Sequence, residues 1–199
     1  MGFFGGINGG LGVPIFEFGN IAKDIDVKKV FVRDRYQAFY HKGLENVDGV
    51  IDIASMKIYL KKIIEKSKAD KVVFIGNSAG GFAAILFGSM LKVEAVHAFC
   101  PPTLVRRKLL PEISDKLGSD NWKIIEASEK SDLLSHLSNE KNDKTLYHIY
   151  FDEGSPDSFH AKRLENFSNV VLHTYHSGGH KLIKKLKDKG ELTVILHSI

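Results

Sequence analysis

The chain has 199 residues, of which 43% are hydrophobic and 26% charged, with one cysteine, Cys100; these are the proportions of a soluble globular protein with no internal disulfide. The formal net charge of +4 is spread along the chain, and its densest cluster, Lys181 to Lys189, alternates with Leu182, Ile183 and Leu186 at helical spacing, so it reads as the wet face of an amphipathic helix rather than a nucleic-acid surface. No run approaches the ~18 apolar residues of a membrane span, and MGFFGGINGG lacks a signal peptide's basic and apolar regions, so a cytoplasmic protein without nucleic-acid or membrane partners is expected.

Apolar, β-rich runs alternate with helical-period segments. This predicts an α/β fold: a doubly wound, mostly parallel six-stranded sheet with helices on both faces, in one domain over 1–199. Gly2 to Gly5 is the first strand, Gly5 to Gly12 a glycine-rich loop, and Pro14 starts a helix through Ala22. Lys29 to Arg33 is the second strand. After a turn-rich loop from Asp34 to Asp48, residues Ile53, Met56, Leu60, Ile63 and Ile64 mark a helix over Ile51 to Ser67. The third strand, Lys71 to Ile75, breaks at Gly76-Asn77-Ser78-Ala79-Gly80 into a helix from Gly81 to Leu91. Glu94 to Phe99 is the fourth strand. The mixed stretch from Thr103 to Lys144, with Arg106, Arg107 and Lys108 near its start, has helical patterns at Ile113 to Leu117 and Asp132 to Leu137, and is expected to form a lid or substrate mouth. Leu146 to Phe151 is the fifth strand, Ser155-Pro156 opens a helix to Phe167, Asn169 to Tyr175 is the sixth strand, and a last helix stops near Gly190.

Strand, G-x-S-x-G and helix in immediate succession is the context of a nucleophile elbow, so Ser78 is the candidate nucleophile. Gly76 and Gly80 are required there because a Cβ at either position would collide with the neighbouring strand or helix. If strand three lies beside strand one, the crevice falls between them and brings the glycine-rich loop to Ser78. Backbone N–H groups of Ala79 and of Gly6 or Ile7 are then the expected oxyanion donors. A serine needs a base that an acid holds in place. His180, directly after the sixth strand, is the expected base. His41 is the reserve, while His97, His148, His173 and His160 read as packing or surface. The acid should follow the fifth strand, where Asp152 and Asp157 are equal candidates and Glu153 trails them.

Two other chemistries fit less well. A dinucleotide site wants G-x-G-x-x-G, absent here, and a metal hydrolase built on His173, His176 and His180 lacks a carboxylate among them. No metal or cofactor is expected.

Taken together, these features resemble the α/β-hydrolase superfamily in a minimal form. A narrower similarity, to small bacterial hydrolase-like proteins associated with surface-polysaccharide and glycosyltransferase functions, is carried by the FGG opening, Phe16-Glu17-Phe18, Arg33-Asp34, Tyr40-His41-Lys42-Gly43-Leu44, GNSAGGFAAILFG and Asp157-x-x-His160-Ala161. The acid-then-His-Ala element of that group favours Asp157 over Asp152. The resemblance implies a serine esterase acting on a small acyl group such as acetyl, on a small-molecule or carbohydrate substrate; the alternative is a catalytically idle hydrolase fold serving as a binding or assembly partner.

Overall fold

Six short apolar strands pair side by side in the computed structural model, which describes residues 1–7, 18–140 and 144–199. They are β1 (Gly2–Phe4), β2 (Val30–Val32), β3 (Val73–Asn77), β4 (Ala95–Phe99), β5 (Leu146–Asp152) and β6 (Val170–Tyr175). All neighbours are parallel, in the order β2-β1-β3-β4-β5-β6. The winding therefore reverses between β1 and β3, and the carboxyl ends of those two strands face the crevice, as expected from the sequence.

Side chains alternate across the sheet and build two cores. Phe4, Phe74, Val96, Tyr147, Ile149 and Phe151 point to one face, where α1 (Ile53–Ser67) and α2 (Ala79–Leu91) cover them. Phe3, Val73, Ile75, Phe99 and Tyr150 point to the other, against Ile21 and Ala22 of a 3₁₀ turn and against α7 (Leu182–Asp188) and α8 (Glu191–His197). Each buried aromatic or aliphatic side chain contributes about 1.5–3 kcal/mol. Helix α2 is buried along every residue from Ala79 to Ser89, so its N-terminus, next to Ser78, is enclosed by protein. At the start of α1, Asp52 accepts from the Ser55 N–H and Ser55 Oγ accepts from the Asp52 N–H, a reciprocal cap.

The stretch after β4 carries α3 (Pro111–Ser114), α4 (Ser119–Ala127) and α5 (Leu133–Glu140). Leu104 and Asp132 close it on itself with a β-bridge, and two contacts tie it to the body: Arg163 Nη2 pairs with Asp132 Oδ1 at 2.8 Å, and Asn121 Nδ2 donates to Tyr36 O at 2.7 Å. Helix α6 (Asp157–Lys162) follows β5, and turns replace the expected continuation to Phe167. Helix α8 is additional to the elements expected from the sequence; it forms because Leu192 and Leu196, one turn apart, bury against the second core. The helix expected from Pro14 lies mostly outside the described residues, as does the loop from Asn8 to Gly12; the described part, Phe18 to Asp24, is a turn followed by 3₁₀ helix.

Candidate active site

The third strand ends in a turn whose central residue, Ser78, has φ 53° and ψ −121°, a conformation that L-residues other than glycine rarely adopt. The turn is held on both sides. Ser78 N donates to Phe99 O at 2.8 Å, and Phe82 N donates to Ser78 O at 3.0 Å. A Cβ on Gly76 would stand 2.1 Å from Gly80 O, and one on Gly80 would stand 2.1 Å from Phe4 O. Only glycine fits either place, so these two positions press the end of β3, the start of α2 and the end of β1 together.

That compression presents Ser78 Oγ to the loop after β6. His180 lies in the short 3₁₀ turn Gly179–Lys181 that leads into α7, and its Nε2 is 2.9 Å from Ser78 Oγ. Its other ring nitrogen, Nδ1, is 2.8 Å from Asp157 Oδ1 at the first position of α6. Asp157 is buried, and Ser155 Oγ accepts from the Asp157 N–H at 3.2 Å, although the N-cap position of α6 falls on Pro156, one residue after the serine from which the helix was expected to open. Burial alone would lower the pKa of His180. The hydrogen bond and charge of Asp157, with the more remote charge of Glu112, outweigh it and hold the ring above its usual value of 6.5.

The two candidate acids have different partners. Asp152 ends β5 and turns to backbone: its Oδ2 accepts from the Gly179 N–H at 2.7 Å and its Oδ1 from the Gly154 N–H at 3.0 Å. It therefore braces the loop that carries His180, while Asp157 touches the ring itself. Glu153 faces outward, 3.7 Å from the exposed His176. Beneath the same loop, Cys100 is buried with its Sγ 3.7 Å from Gly179 O, and burial pushes its thiol well up.

The expected oxyanion loop leaves β1 beside this turn. Gly6 and Ile7 are half-buried, and Gly5 N donates to Val32 O at 2.9 Å. The Ala79 N–H opens α2, where first-turn N–H groups have no intrahelical acceptor. Tyr40 Oη, 2.9 Å from Gly5 O, stands at the base of the loop.

Among the described residues no histidine other than His180 bonds to Ser78. His41, the reserve base, is buried against the Phe82 ring with Nδ1 turned to Ala38 O and Phe39 O, and burial lowers it to about 4. His97, His148 and His173 form a stacked ladder with Tyr150 across β4, β5 and β6. The sequence triplet His173, His176 and His180 does not converge. Among the described residues, one group with metal-ligating atoms within 4.8 Å of one another consists of Cys100, Asp157 and His180, two of which are already engaged in the line to Ser78.

A cavity of about 290 Å³ opens beside Ser78 and His180. Part of its wall comes from the segment expected to form the substrate mouth, Lys108, Leu109, Leu110, Pro111, Glu112 and Ile113; Pro102, Pro156, Asp157 and His160 complete it. Two of these groups escaped the sequence reading. Glu112 had no signal, since its nearness to His180 depends on how a long segment folds back. His160 had one, its spacing of three from Asp157, which places both on one face of α6.

No protein-family model and no curated protein matches the chain. Several solved structures share its fold. An α/β hydrolase, MGS-MChE2, from the metagenome of sediments of the Mar Chica lagoon, Morocco, aligns over 100% of this chain and 89% of its own at 18% identity and a TM-score of 0.59. The capsule O-acetyltransferase of Neisseria meningitidis serogroup A aligns over 96% of this chain and 86% of its own, at 17% identity and a TM-score of 0.60. The Gap123 glycosylation-associated protein complex of Streptococcus agalactiae gives 15% identity and a TM-score of 0.60 over 98% of this chain, which spans 40% of that longer chain. The chain thus has the α/β-hydrolase fold.

Proposed function

We propose that this protein is a serine hydrolase that cleaves a carboxylic ester through an acyl-enzyme on Ser78. The observation that carries the reading is the unbroken hydrogen-bonded line from Asp157 Oδ1 through His180 to Ser78 Oγ, ending on a strained turn at the edge of a cavity. Ser78 Oγ attacks the acyl carbon as its proton passes to His180 Nε2. Asp157, on Nδ1, keeps the accepting tautomer in place and stabilises the imidazolium. The electron pair displaced onto the carbonyl oxygen is met by the Ala79 N–H and that of Gly6 or Ile7. Collapse of this intermediate expels the alcohol oxygen, which takes the proton from His180. Water, deprotonated by the same imidazole, then releases the acid and frees Ser78.

The cavity volume suits a small acyl group such as acetyl together with part of its alcohol. A carbohydrate ester is favoured by fold-level analogy with an O-acetyltransferase of capsule and a glycosylation-associated protein. Among the described residues no helix is long and apolar enough to cross a membrane; a cytoplasmic location belongs to this reading as a proposal. The test compares wild type with Ser78→Ala, using p-nitrophenyl acetate and a fluorophosphonate probe. Wild type should hydrolyse the ester and label, and the variant should do neither. Equal labelling or hydrolysis by the two proteins rejects Ser78, and inactivity of both favours a binding or assembly role for the fold.

A further inference from the structure

His160 sits one turn after Asp157 on α6 and lines the same cavity as Ser78 and His180. Its Nδ1 lies 3.2 Å from Thr103 N. A backbone N–H only donates, so Nδ1 is the bare acceptor and the ring proton resides on Nε2. The surroundings lock that orientation: Thr103 Oγ1 donates to His160 O at 2.8 Å, and Arg163 Nη1 donates to Thr103 O at 2.8 Å. Burial lowers the ring to about 4 despite the nearby Asp157, so at neutral pH it is an uncharged donor. Among the described residues Nε2–H has no protein partner. With Nδ1 turned to Thr103, Nε2–H is the ring's remaining donor, and His160 lines the cavity.

Resting on the esterase reading above, the leaving oxygen must meet His180 Nε2, which returns its proton, while the carbonyl oxygen turns toward Ala79. The cavity that His180 lines also carries Leu109, Leu110, Glu112, Pro156 and His160, which makes these residues candidates to face the alcohol half of the ester. We propose that His160 is a specificity residue whose Nε2–H donates a hydrogen bond to an oxygen on the alcohol half, selecting esters of oxygen-rich alcohols such as acylated sugars or polyols. Glu112 lines the same cavity and can accept from any hydroxyl left free on the alcohol, whereas ring and ester oxygens suffice for the His160 contact.

The experiment compares two esters, glucose pentaacetate and phenyl acetate, whose leaving group offers no second oxygen. The full chain is assayed as wild type, His160→Phe, which keeps the ring volume, and His160→Gln, which keeps an acceptor for Thr103 and a donor for the cavity. His160→Phe should lose about tenfold in kcat/KM on the sugar ester, mostly through KM, and change by less than about twofold on phenyl acetate, with His160→Gln restoring most of the loss. Equal losses on both esters overturn the proposal, since that is what disturbing Asp157 through α6 would do; so does no loss on either. Calorimetric binding of glucose pentaacetate to Ser78→Ala separates this inference from the esterase reading. If wild type hydrolyses nothing but the sugar ester binds, and the Phe change weakens binding while Gln restores it, His160 keeps its role and the Ser78 reading fails. A sugar ester neither bound nor cleaved overturns the proposal. Should His160→Phe not fold, the ¹⁵N signal of His160 Nε2 in Ser78→Ala decides: it should shift when the sugar ester is added, and an unmoved signal rejects the contact.

Discussion

Asparagine at position 157 leaves the shape of the side chain intact and changes what faces His180. The carboxylate Oδ1, 2.8 Å from Nδ1, accepts the ring proton and keeps Nε2 bare for Ser78. An amide can instead present its NH₂ to Nδ1, which drives the ring proton to Nε2 and removes the acceptor. The expected loss in kcat is about 10⁴-fold, roughly 5–6 kcal/mol of transition-state stabilisation. The same change removes the hydrogen bond and charge that raise the His180 pKa while leaving its burial, so the acid limb of residual activity should move to lower pH. Asp152→Asn is the internal control. Its two backbone contacts, to Gly179 and Gly154, cannot both survive an amide, so about 1–3 kcal/mol of stability should be lost, with about a tenfold loss of rate as the His180 loop loosens. Burst kinetics with p-nitrophenyl acetate, a thermal melt and a pH profile on each variant distinguish the two carboxylates. Activity of Asp157→Asn within about tenfold of wild type, or a larger kinetic loss in Asp152→Asn, would refute the assignment of roles.

For wild type, His180 must be neutral to accept the Ser78 proton, so kcat/KM should be low on the acid side and rise with pH through an apparent pKa above 6.5. A flat profile between about pH 5 and 8 would exclude His180 as the base. Gly80→Ala places a Cβ 2.1 Å from Phe4 O, so it should lower the melting temperature and abolish fluorophosphonate labelling; the melting change reflects a cost of about 1–3 kcal/mol or more. Gly154→Ala, whose Cβ meets Asp152 Oδ1 at an ordinary 3.6 Å, should leave both readouts unchanged, and like behaviour of the two variants would sink the packing argument.

The strands and their order were legible because each is a short apolar run bounded by turn residues, and a parallel sheet covered on both faces leaves few other ways to bury Phe3 together with Phe4. The meeting of Ser78 and His180 was legible from their places at strand ends. The choice between Asp152 and Asp157 was not: the residues are five apart, both follow β5 closely, and what separates them is the direction each carboxylate takes once the β5 and β6 loops pack. His160 reads as an ordinary helical histidine until Thr103, far away in sequence, is known to donate to its Nδ1. Helix α8, at seven residues, is too short to display a periodicity of its own; tertiary burial of Leu192 and Leu196 decides it.

Asp152 has a mechanical consequence. Its two oxygens hold one amide from the loop after β5 and one from the loop after β6. Without that clasp, the spacing between Asp157 and His180 would inherit the independent wander of two surface loops, each hinged at its own strand end. With it, the two loops share one anchor and shift in concert. Any residual motion of His180 is then largely motion along with Asp157, and Ser78, on a turn wedged between two glycines, becomes the fixed point against which the pair is aligned.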